Sequence, residues 1–171
     1  LLFVHPSSIS TIEEIPFLPI QFFKSRKVLS SLAEVQEIFT SSGTTGSSTS
    51  KHLVTDITLY KESYLKGFSH FYGNIEEYTI LALLPNYLER EGSSLVFMVA
   101  DLIQKSKKPE SGFYLDNMQE LAEKLTELDK TGQKTLLIGV SFALLDLIEM
   151  QQFNLKNTII METGGMKGRR K

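Results

Sequence analysis

From Thr79 onward the chain alternates short apolar runs with longer amphipathic ones, and this alternation leaves few folds open to it. Thr79 to Leu84 is continuously apolar and bounded by Pro85, Lys134 to Val140 is a second such run, and Thr158 to Met161 is a third. Such runs read as strands, the first covered on both faces and the second buried as well. Between them lie helical patterns. Ser93 or Ser94 can cap a helix through about Gln104. Asn117 opens another, in which Met118, Leu121, Leu125 and Leu128 form one stripe and Glu120, Glu123, Lys124 and Glu127 face water, until Gly132 ends it. Ser141 is expected to cap a third helix reaching about Gln151, and Gly112 to Leu115 supplies a short strand after the exposed turn KSKKPESG. Strand, helix, strand in this order gives an α/β domain with a largely parallel sheet flanked by helices, because parallel neighbours need a crossover that packs back on the sheet.

The first third of the chain is different. Ser10 and Glu13 have the spacing of a capping box, yet Pro16 and Pro19 forbid a long helix after it. Ile15 to Lys27, IPFLPIQFFKSRK, is apolar and proline-stiffened, and reads as an extended segment laid over a core. Asp56 is placed to cap a helix running to about Tyr72, which Gly73-Asn74 would end.

Between the apolar runs Val35–Phe39 and Leu53–Val54 lies SSGTTGSSTSK, Ser41 to Lys51, in which every residue but the last is Ser, Thr or Gly. Such a stretch adds nothing to a core. It offers backbone N–H groups, hydroxyls and two glycines, Gly43 and Gly46, that let the backbone approach a ligand closely, followed by the cation of Lys51. That is the chemistry of a phosphate cradle; a flexible linker is the other reading of the same composition. The nucleotide loop GxxxxGK[ST] is excluded, since the two glycines are too close and no Lys follows Gly46. His52, next to Lys51, can line such a site, although alternation along a strand turns its side chain away from that of Lys51. His5 and His70 have no catalytic partner at an obvious spacing and read as packing or surface residues.

Composition limits the function classes. The 171 residues carry 18 Lys and Arg against 20 Asp and Glu, a net charge of −2, so no charge excess points to nucleic acid or an anionic membrane. No cysteine is present, which rules out disulfides, thiolate metal sites and a thiol nucleophile within these residues. No apolar run approaches the roughly 18 residues that would span a bilayer, and the start lacks the pattern of a signal peptide, so the cytoplasm is the expected compartment. Both ends read as cuts within a longer chain, and the expectation is one partial domain over residues 1–171.

Four stretches resemble one family in order. Ser41 to Gly46 matches the (S/T)SG(S/T)TG loop of the adenylate-forming superfamily. Ile15 to Lys24 is similar to the IPFLPI-x-FFK signature of the bacterial acyl-protein synthetase (LuxE-like) family. LPNYLEREGSSL, Leu84 to Leu95, resembles that family's LPSYLER-x-x-SSL, and ETGGMKGR, from Glu162, resembles its corresponding segment. Outside the resemblance, Glu89-Arg90-Glu91 reads as a solvated turn and Gly164-Gly165 as a simple left-handed turn.

The resemblance implies the N-terminal, larger-domain portion of an AMP-binding enzyme that uses ATP and Mg²⁺. A carboxylate substrate, here a fatty acid, attacks ATP to give acyl-adenylate and pyrophosphate, and the acyl group then passes to a thiol. It implies that Ser41, Ser42, Gly43, Thr44, Thr45 and Gly46 bind the ATP phosphates, that Lys51 stabilises the charge developing on pyrophosphate, and that Tyr87 lies near the substrate carboxylate, with Pro85 and Gly92 in the same scheme. Gly164 and Gly165 would lie against the adenine. An acyl-acceptor or acyl-donor protein is the implied partner. A phenylacetate-type acyl-CoA ligase shares the loop and hands the acyl group to CoA; a non-catalytic remnant or interaction domain that keeps the fold is a further alternative. The superfamily's aromatic-Gly-x-(S/T)-Glu segment, its ribose-binding Asp, the Lys of its mobile lid and the acyl-accepting Cys have no counterpart in these residues.

Overall fold

The computed structural model describes residues 5–41, 49–85, 91–115 and 117–164, which divide between Thr55 and Asp56 into two compact units.

In the second unit, helix α2 (Ile57–Tyr72) starts where Asp56 accepts a hydrogen bond from the Thr58 amide at 2.9 Å and a second from its hydroxyl at 2.5 Å. It stops at Gly73, which takes φ 86°, a conformation that costs a residue with a Cβ. Strand β3 (Thr79–Leu83) follows, then α3 (Ser94–Ser106), β4 (Gly112–Phe113), α4 (Met118–Thr131), β5 (Thr135–Gly139), α5 (Ser141–Met150) and β6 (Thr158–Glu162). The sheet order is β4-β3-β5-β6 and every pairing is parallel, with Thr79 opposite Thr135 and Thr135 opposite Thr158. The chain therefore moves outward to β4, then crosses back over β3 to β5 and on to β6. With right-handed crossovers, that reversal puts α3 on one face and α4 and α5 on the other.

This arrangement explains the apolar runs. All five residues of β3 and all five of β5 are buried, because each strand has neighbours on both sides and helices on both faces. Ile80, Leu81, Leu83, Leu136, Leu137 and Ile138 form the centre, closed on one side by Val99 and Leu102 and on the other by Leu121, Leu125 and Leu147. Each such aliphatic side chain contributes about 1.5–3 kcal/mol on burial. The expected stripe of α4 is the buried one, and Asn117 and Gly132, the latter at φ 75°, bound that helix. Ser93 caps α3 through the Val96 amide at 3.3 Å.

The expected strand at Thr158–Met161 is β6, which lies at the edge, where a single neighbour and partial cover leave Ile160 55% exposed. Other expectations need correction. The Gly112–Leu115 strand is two residues long, pairing only with Leu81 and Ala82. Ser141 does not cap α5: Val140 occupies that position and Ser141 is the first helical residue.

In the first unit, β1 (Glu37–Thr40) and β2 (Lys51–Val54) pair antiparallel, with Thr40 opposite Lys51. Helix α1 (Phe22–Ser25) is a single turn. The carboxylate that accepts the Ser10 and Thr11 amides, at 2.6 and 3.3 Å, is that of Glu14 rather than Glu13, since the turn begins one residue later than expected. Ile15–Ile20 does not lie over a core: Phe17 is fully exposed and Ile20 largely so. The prolines keep this segment extended without giving it a surface to cover within its own unit.

Candidate functional site

The Ser/Thr/Gly stretch leaves β1 and returns as β2, so it joins two strands that are hydrogen-bonded to each other. Its neck is closed by two bonds between the same residues: the Ser41 amide donates to the Ser50 carbonyl at 3.1 Å, and the Ser50 amide donates to the Ser41 hydroxyl at 3.0 Å. Ser41 thus acts as an acceptor in the frame while its own O–H remains able to donate. Residues 42–48, and with them the candidates Ser42, Gly43, Thr44, Thr45 and Gly46, lie outside the described residues.

Lys51 is exposed, and among the described residues no carboxylate lies within ion-pair distance of its ammonium. Its neighbour His52 is engaged in the frame. The imidazole stacks on Phe23 with ring centroids 4.7 Å apart, and its Nε2 is 3.2 Å from the Ser50 hydroxyl. This uses Phe23, from the end of the proline-stiffened segment, to hold the exit of the loop. Ser41, Ser50, Lys51 and His52 are therefore gathered at one end of the β1–β2 hairpin.

In the second unit the relevant geometry is the carboxyl edge of the parallel sheet, where ligands of open α/β sheets collect. β3 ends at Leu83 and is followed by Leu84 and Pro85; Tyr87 lies outside the described residues. β5 ends at Gly139, whose carbonyl accepts the Thr163 amide at 2.9 Å and the Thr163 hydroxyl at 3.3 Å. That continues the ladder one residue beyond β6 and sets Gly164 at the strand end with φ 69°, where a Cβ would meet nothing within 4 Å among the described residues. Gly165 lies outside the described residues.

Sequence reasoning missed one pair at this edge. The Ser141 hydroxyl, at the start of α5, donates to the Glu162 carboxylate at 2.5 Å, a short contact between residues 21 apart in sequence. Only the parallel register, which sets Gly139 opposite Glu162, brings them together, so no local motif announces it. From this pair an apolar groove of about 1140 Å³ runs along β6 beneath α5, past Leu144, Ile148, Phe153 and Ile160.

Two further polar contacts join elements of this unit. The Tyr64 phenol donates to Asp101 at 2.7 Å between α2 and α3, and burial followed by this carboxylate contact pushes its pKa up. Asp129, in the last turn of α4, accepts the amides of Lys156 and Asn157 at 2.9 and 2.7 Å and so ties that helix to the approach to β6. Among the described residues no group of three or more His, Asp or Glu is placed to hold a metal ion, and no helix is long and apolar enough to cross a membrane.

Comparison with family models finds no match to this chain, and neither the curated proteins nor the solved structures contain a match.

Proposed function

We propose that the chain is part of an ATP-dependent enzyme that activates a carboxylic acid, a fatty acid by its resemblance, as the acyl-adenylate and then passes it to a thiol. The observation that carries this reading is the hairpin: SSGTTGSSTSK joins two paired strands through a neck bonded on both sides, and it ends on an exposed lysine. A linker has no reason to be clamped in this way. A loop that must hold phosphates in one geometry does, because donors fixed in advance do not have to reorganise as charge develops on the leaving group.

In this reading the loop from Ser41 to Gly46 holds the ATP phosphates through backbone N–H groups and hydroxyls, and Lys51 meets the charge that grows on pyrophosphate. Gly164 and Gly165, with no side chain to obstruct a flat ring, take the adenine. Tyr87 borders the substrate carboxylate. Mg²⁺ enters bound to the phosphates, and because it is held mainly by phosphate oxygens, water and one or two carboxylates, it requires no preformed protein cage. Its contribution would be to neutralise the phosphate charge.

The test is carboxylate-dependent exchange of labelled pyrophosphate into ATP by the full-length protein, with fatty acids and phenylacetate compared. Exchange is expected, and changing Thr44 and Thr45 together to Val should lower it by about 10²-fold, the loss typical of removing a preorganised donor. No exchange with any acid, or full exchange by the double variant, would overturn the reading.

A further inference from the structure

We draw no further inference here: the strongest candidate, the apolar groove along the edge strand β6 beneath α5 that ends at the Ser141–Glu162 pair, is an unpartnered face, and nothing in the structure shows what covers it.

Discussion

Gly139 fixes the carboxyl edge of the sheet, and replacing it with Ala tests that role directly. A Cβ built at this position would lie 2.7 Å from both Cγ and Cδ2 of Leu144, against the roughly 3.5–4.0 Å of an ordinary carbon contact. Leu144 must therefore retreat by about 1 Å. Overpacking of this size costs about 1–3 kcal/mol. The substitution also restricts the unfolded chain and gives back about 0.4–1 kcal/mol, because the native backbone of Gly139 lies outside the left-handed region. The net loss should be about 1–2 kcal/mol. With a urea m-value of about 1–3 kcal/mol per molar, the midpoint should fall by roughly 1 M. Urea unfolding followed by far-ultraviolet circular dichroism measures it. The origin of the loss is checked in a Leu144→Ala background, which removes the obstructing methyl groups. There Gly139→Ala should cost little, giving a coupling of about 0.5–3 kcal/mol. A Gly139→Ala variant as stable as the parent, or an equal loss in both backgrounds, would refute the claim that Leu144 closes on the Gly139 backbone.

Asp129→Ala removes the acceptor of the Lys156 and Asn157 amides and should cost about 1–3 kcal/mol in the same unfolding experiment, whereas an unchanged midpoint would mean that α4 and the β6 approach are held by packing alone. The raised Tyr64 pKa means that folding favours the neutral phenol, so its contribution is complete below the ordinary value of 10.0 and is lost as the pH rises through the higher folded value. The stability of the parent should accordingly drop more steeply above pH 10 than that of Tyr64→Phe, as read by urea midpoints; parallel curves would contradict this. Asp56, whose pKa is lowered by the Thr58 hydroxyl and amide, works in the opposite sense: its contribution is present above its ordinary 3.8 and fades as the pH falls, so Asp56→Ala should flatten the acid limb. At the loop neck, Ser41→Ala deletes the acceptor of the Ser50 amide, worth about 1 kcal/mol net, and exchange of that amide with solvent should quicken about five-fold. An unchanged exchange rate would show that the neck does not depend on the hydroxyl.

Much of the second unit is legible in the sequence because its signals are local. Asp56, Ser93 and Asn117 each accept a bond from an amide two or three residues ahead, and Gly73 and Gly132 meet a backbone need at their own position. The apolar stripe of α4 is likewise set by helical period alone. What cannot be read locally is what the topology decides. Thr158–Met161 and Thr79–Leu84 look alike, but the first became an edge and the second a centre, since that depends on the order in which strands add to the sheet. Ser141 has the residue type of a cap, yet its hydroxyl turns to a carboxylate that only the β5–β6 register brings near.

The same distinction runs through the candidate site. The composition of Ser41 to Lys51 can belong to a phosphate loop or to a linker, because either can be built from small hydroxylated residues. What the structure adds lies at the ends, in pairing that individual residues do not encode. Ser41 and Ser50 are ordinary serines until β1 and β2 pair; the pairing then places the amide of one against the hydroxyl of the other. His52 behaves similarly, since the alternation that turns it away from Lys51 also delivers it to Phe23. A histidine beside a lysine at a loop exit can line a phosphate site, whereas stacking and the Ser50 contact give this ring a task in the frame. What stays exposed at the exit, with no carboxylate within ion-pair distance among the described residues, is Lys51, and under the proposed reading it is this cation that meets the anionic phosphates.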